Sequence, residues 1–174
     1  RGIVCTEERR ERDSIVRFLN YPVRITYVGR LDKDSEGLLL MTNNGDIINR
    51  MMRAANKHEK EYKVTVDKPV TDEFLKEMAG GVPILDTVTR PCQVEKLGKY
   101  KFKIILTQGL NRQIRRMCEV LGYEVKELRR VRIMNIELGN LKPGEYRKVT
   151  DQELNELYEL IRDSKSEPTP WKNN

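Results

Sequence analysis

Residues 62 to 66 and 100 to 106 carry the plainest periodicity in this chain. Tyr62, Val64 and Val66 alternate with Lys63 and Thr65, and Tyr100, Phe102, Ile104 and Leu106 alternate with Lys101 and Lys103. Each pattern predicts a strand with one face in a core and the other toward water. The β-branched and aromatic run at 23 to 28 and the apolar run at 38 to 41 predict two further strands, and residues 2 to 6 a short one. Helical spacing appears at 9 to 19, where Ile15, Phe18 and Leu19 share a face until Tyr21-Pro22 stops it. It returns after Asn43-Asn44-Gly45, where Ile47, Ile48, Met51 and Met52 read as a core face rather than a methionine-rich binding surface. Thr71 is placed to cap a helix over 72 to 78 that Gly80-Gly81 ends. Residues 84 to 97 predict a hairpin with Pro91 at an edge or bulge.

The helix at 111 to 121 is the most informative. Ile114, Met117, Cys118 and Leu121 form one stripe, and Arg112, Arg115, Arg116 and Glu119 form another shifted by two residues, on the far side. One face enters the core and the other carries three arginines outward or into a cleft. Gly122 closes it, residues 123 to 138 continue as strand, and Thr150-Asp151-Gln152-Glu153 is a capping box for a last helix bearing Leu154, Leu157, Leu160 and Ile161. After residue 163 the composition turns to Ser, Lys, Pro and Asn, which predicts a disordered tail. No internal repeat is present. Strands and helices are intermixed, and several strand pairs have short connections. The expected fold is therefore α+β with a mainly antiparallel sheet.

Composition narrows the class. The chain has 174 residues, 38% hydrophobic and 34% charged, with a net charge of +6. That is enough for one domain with a substantial core or two closely packed lobes, expected over 1 to 163 and followed by the tail. No apolar run approaches the ~20 residues of a bilayer span, and no signal peptide opens the chain. Cys5, Cys92 and Cys118 lack metal-ligand spacing and fit reduced thiols in the cytoplasm. His58 is the lone histidine and is left out of the chemistry. Between 109 and 132 stand seven basic and three acidic residues, so most of the net excess lies in this one segment. Charge placed so unevenly is a footprint for a polyanion.

The chemistry centres on residues 29 to 40, Gly-Arg-Leu-Asp-Lys-Asp-Ser-Glu-Gly-Leu-Leu-Leu. Flanking strands make its charged middle a loop with glycines at both ends. A calcium loop is excluded, because Asn43 stands where the bidentate glutamate would be and flanking helices are missing. A metal-dependent nuclease using Asp32, Asp34 and Glu36 lacks further ligands. A carboxylate is repelled by phosphate, so an acidic loop beside a basic segment asks for a chemical reason.

This stretch resembles the catalytic loop of the RsuA-type RNA pseudouridine synthases. His58-Glu59-Lys60-Glu61-Tyr62 and the run from Gly109 through Arg112, Ile114 and Arg115 to Met117 resemble that family's second and third motifs, in the same order. With Arg132-Ile133-Met134-Asn135 the likeness is greatest to the F-type branch, which acts on 23S ribosomal RNA. Met134 stands where many relatives have glycine. The resemblance implies a long, curved mixed sheet with an RNA-binding cleft across one face, and a fragment or processed chain that lacks an N-terminal S4 domain. It implies that Asp32 is the catalytic aspartate, that Arg115 pairs with it, and that Tyr62 stacks on the target base with Ile114 against its ring. Arg30, Arg112, Arg116, Arg129, Arg130 and Arg132 are the remaining candidates for RNA contact. No metal and no cofactor is expected, since the implied reaction is an isomerisation. The expected partner is ribosomal RNA, the large-subunit 23S precursor, with no membrane and a monomeric protein. The competing reading is a non-catalytic RNA-binding module in ribosome assembly.

Overall fold

The structure, a computed structural model, describes residues 1–8, 10–53 and 57–163. A mixed sheet of six strands organises it. Lys60–Val66 (β4) lies between Lys101–Leu106 (β8) and Val125–Ile133 (β9); Gln93–Gly98 (β7) extends one edge and Ile136–Glu137 (β10) the other. All these pairs are antiparallel, whereas Glu36–Gly37 (β2) joins β9 in parallel. Thr26–Val28 (β1) and Leu40–Thr42 (β3) form a separate antiparallel pair. The α+β expectation with a mainly antiparallel sheet is met.

Two cores flank the sheet. In the first, Val64, Phe102, Ile104 and Leu128 pack against Phe74 and Met78 of helix Asp72–Gly80 (α3) and Ile114, Met117 and Cys118 of helix Gln113–Val120 (α4). Phe74 and Phe102 meet edge to face at 5.2 Å. In the second, Val28, Leu38, Ile133 and Ile136 pack against Ile47 and Met51 of helix Gly45–Met52 (α2) and Leu157 and Ile161 of helix Asp151–Ile161 (α5). A fully buried side chain of this size contributes about 1.5–3 kcal/mol, so both cores are anchored well. The loop after β1 starts from Val28 in the second core and reaches toward the N-terminus of α4 in the first. It spans the seam between them.

Helix starts follow the predicted chemistry. Thr71 caps α3 through Phe74 N, and Asn44 caps α2 through Asp46 N and Ile47 N. Thr150 and Glu153 form both halves of the predicted capping box on α5. Arg147 grips the same Glu153 with two bonds of 2.7 and 2.9 Å, and together these hold its carboxyl at about 2, far below its ordinary value.

Four expectations are corrected. The helix predicted at 9 to 19 starts at a residue outside the described ones, and from 10 onward it is only Ile15–Leu19 (α1), because Ser14 is its cap and the Glu8 and Glu11 side chains accept backbone N–H groups before it, in competition with helix. The strand at 2 to 6 is a single bridge from Val4 to Ser14. The hairpin at 84 to 97 divides: Pro83–Ile84 (β5) turns onto Thr87–Val88 (β6), while β7 pairs with β8 and Pro91 falls between strands. Leu85 and Asp86 both have positive φ at that turn, which suits a tight two-residue loop. The strand at 123 to 138 breaks at Met134, whose φ is +54°. That left-handed backbone favours glycine; here the side chain is instead buried in the second core. The tail after 163 lies outside the described residues.

Candidate active site

The loop after β1 is held at its base by one buried guanidinium. Arg130 is 2% exposed and donates from Nη2 to the Gly29 carbonyl and from Nε to the Leu38 carbonyl, each at 2.8 Å. Its own carbonyl accepts Leu38 N at 2.8 Å, and the ladder sets Gly37 beside Arg130 and Glu36 beside Arg129. One planar fork therefore fixes both ends of the loop relative to β9. No ion pair neutralises this cation among the described residues, and two carbonyl dipoles take the place of a carboxylate. Lys60 lies beside it near Gly29, and its pKa is depressed first by burial and then by the Arg130 charge.

Within the loop, Asp34 is the anchor. Its carboxylate receives two bonds from Arg112, at 3.1 and 2.9 Å, and lies 3.5 Å from Arg115 Nε. Arg115 also donates to the Asp34 carbonyl at 3.0 Å and to the Ser35 hydroxyl at 3.4 Å. The Arg112 bond, with burial opposing and both arginine charges assisting, holds the Asp34 carboxyl below its ordinary range. Arg112 sits at the N-cap of α4 with φ 49° and ψ 38°. Such left-handed strain in a non-glycine residue concentrates at functional sites. Its side chain caps nothing and is free to grip the loop.

Asp32 is presented rather than buried. Its side chain is 41% exposed, and its ion contact is Arg112 Nη1 at 3.7 Å. It lines two cavities, of about 920 and 630 Å³, the smaller shared with Arg30 and Arg112. The expected Asp32–Arg115 pair is thus replaced: Arg112 faces Asp32, and Arg115 supports Asp34 and Ser35. The spacing of α4 explains the exchange, since Arg112, one turn earlier, stands at the helix end nearest the loop. Equally, the carboxylate is not desolvated in the free protein, so dryness has to come with the substrate.

The remaining candidate residues divide by role. Arg30 is exposed and lines the smaller cavity. Tyr62 is half-buried, packs against the first core, and stands opposite Arg130 in the ladder. Ile114 shares that core at 4% exposure, which leaves it no surface for RNA. Arg116 folds back on Asn111. Arg132 is taken by Glu59, Glu61 and the Met134 carbonyl, and Arg129 by Glu36. Of the six arginines expected to meet RNA, Arg130 is buried, and Arg116, Arg129 and Arg132 are bound within the protein. Glu36 faces Arg129, and Asp32 and Asp34 both face Arg112, so each of the three loop carboxylates has a guanidinium partner.

Asp34→Asn tests the anchor. Because the folded pKa is depressed, its stabilisation is present above the unfolded carboxylate value of about 4 and is lost as pH falls below it. The pair is half exposed, so thermal melting at neutral pH should fall by no more than the roughly 0–1 kcal/mol of a surface pair. Activity should fall more, because Arg112 and Arg115 lose their shared partner. Unchanged turnover in this variant would remove Asp34 from the site.

A sequence profile described as RNA pseudouridylate synthase matches residues 1–120. The chain belongs to that family. It is 58% identical over 169 residues to the dual-specificity RNA pseudouridine synthase RluF of Shigella flexneri, covering 97% of this chain and 58% of that protein. It is 34% identical to the ribosomal small subunit pseudouridine synthase A of Yersinia pestis, covering 88% and 67%. A crystal structure of a pseudouridylate synthase superposes with a TM-score of 0.84 at 31% identity, over 90% of this chain and 70% of that one. The pseudouridine synthase fold and the F-type affinity expected from the motifs are therefore confirmed. The chain spans a little over half the length of the RluF relatives.

Proposed function

We propose that residues 1–163 form the catalytic domain of a cytoplasmic, monomeric pseudouridine synthase that isomerises a specific uridine of 23S ribosomal RNA. The observation that carries this reading is Asp32: a carboxylate on a loop clamped at both ends, 3.7 Å from a guanidinium and open to two cavities.

The reaction breaks the bond from uracil N1 to ribose C1′, turns the base, and joins C5 to C1′; the C5 proton leaves and N1 regains one. Atoms and electrons balance without a donor or a redox partner. Asp32 in its ionised form either attacks covalently or removes the 2′ proton. Entry of a flipped uridine expels water from this carboxylate, so its charge needs a fixed partner in the closed site. Arg112 can supply one, because guanidinium stays charged and offers two donors. Arg115 acts one step back by holding the Asp34–Ser35 turn. Tyr62 supplies an aromatic face for the target base.

The test is to incubate 23S ribosomal RNA with the protein and map pseudouridine by nucleotide. One new pseudouridine at a defined site is the expected result. Binding with no conversion would favour the non-catalytic assembly module instead. Arg115→Met should cut turnover by roughly 10- to 150-fold, the worth of a charge-assisted hydrogen bond, and an equally active variant would refute its supporting role.

A further inference from the structure

The arginines that the sequence marks for RNA are largely bonded within the protein, which leaves open where the polynucleotide is gripped. The segments 15–25 and 139–149 are far apart in the chain and meet in the fold: the Tyr21 and Tyr146 rings stand edge to face at 5.7 Å, and Phe18 lies against Gly144. Together they hold five basic residues and one acidic residue. That excess of four equals the one between 109 and 132, yet it is differently spent. Arg147 is paired with Glu153, whereas Arg17, Arg24, Lys142 and Lys148 are exposed and make no ion pair among the described residues. Phe18 is 52% exposed and Tyr146 60%. Phe18, Tyr21, Lys142, Tyr146 and Lys148 line the same 920 Å³ cavity as Asp32. That volume far exceeds one base.

We propose that this aromatic and basic strap binds an unpaired segment of the substrate RNA that flanks the target uridine. Aromatic faces beside free cations are the arrangement that holds single strands without reading their sequence. The cavity is continuous with Asp32, so a strand seated here would lead its neighbouring nucleotide to the carboxylate. The acidic Glu137 and Glu145 also line this cavity, which suits bases packed inward and phosphates held outside by the lysines. The proposal rests on the activity proposed above for the partner's identity, but its test is a binding measurement that needs no turnover.

Binding of a fluorescent oligouridylate of about ten nucleotides, a typical single-strand site size, is measured for the wild type, Tyr146→Ala, and Lys142→Ala combined with Lys148→Ala. Tyr146→Ala should weaken binding roughly 5- to 150-fold, the range that one base–aromatic stack supplies. The double lysine variant should lower the slope of log affinity against log salt by roughly 0.7 for each phosphate that is no longer neutralised. Tyr100→Ala, an exposed tyrosine outside the cavity, is the control and should change nothing. All three sites are on the surface, so folding is checked by melting alone. Affinity within twofold of wild type for Tyr146→Ala, or a change in self-association without a change in RNA affinity, would overturn the proposal. Oligouridylate binding by the wild type that is weakened by these changes, with no pseudouridine formed in ribosomal RNA, would instead count against the catalytic reading alone.

Discussion

Asp32→Asn should abolish pseudouridine formation, with a loss of at least roughly 10³-fold, while the protein melts at nearly the wild-type temperature. The two halves of this expectation rest on different observations. Asparagine keeps the shape of the side chain but cannot act as nucleophile or base, and removing a group in such a role costs this much or more. Stability is spared because the side chain is 41% exposed and its ion contact with Arg112, at 3.7 Å, is loose. Such a pair contributes about 0–1 kcal/mol. RNA affinity is the third readout. A carboxylate facing phosphate is repulsive, so its neutralisation should leave binding unchanged or strengthen it. A non-catalytic binding module makes the same affinity prediction but has no turnover to lose. Retained pseudouridine formation in Asp32→Asn would overturn the assignment.

Much of this arrangement was legible in the sequence, and what was not has a common cause. Strict alternation at 62 to 66 placed Tyr62 on the core side, and the two stripes of α4 put Met117 inside and Arg112 outside. These are local patterns that a single element decides. Pairing between remote elements was not legible. Arg112 and Arg115 are three residues apart on one helix face, and only the approach angle of the loop gives Asp32 to the first and Ser35 to the second. Arg130 shows how a local signal is outweighed by residue type. It shares the parity of Leu128, whose side chain is buried, and opposes Tyr62 on β4. Period two thus pointed it inward, while its charge suggested phosphate. The fold obeys the period and satisfies the charge with carbonyls. The strap at 139–149 had no periodicity to read at all, and its aromatic partners lie over 100 residues earlier in the chain.

Gly37→Ala is expected to do the greatest structural damage of any single methyl group in the loop. Gly37 has φ +118°, and a Cβ there would lie 2.2 Å from the Arg130 carbonyl oxygen and 2.6 Å from its nitrogen. Both obstacles are backbone, in a strand pinned by β4 on its other edge and by the Arg130 side chain below. Neither can rotate aside. The chain must either lift β2 off β9 or distort β9 at the ladder partner of Tyr62. Left-handed strain in an alanine costs about 1–2 kcal/mol, and overpacking about 1–3 more. A total near 3 kcal/mol would lower the melting temperature by roughly 6–12 °C in a protein of this size. Lifting β2 also breaks the bond from Leu38 N to the Arg130 carbonyl, which releases one end of the Asp32 loop, so activity should fall further than stability explains. Gly45→Ala is the control: it begins α2, nothing lies within 4 Å of the added atom, and the change should be neutral or slightly stabilising. Hydrogen exchange at residues 29–38 reads the difference directly. If Gly37→Ala left those amides as protected as in the wild type, the parallel pairing of β2 with β9 would not be what holds Asp32 in place.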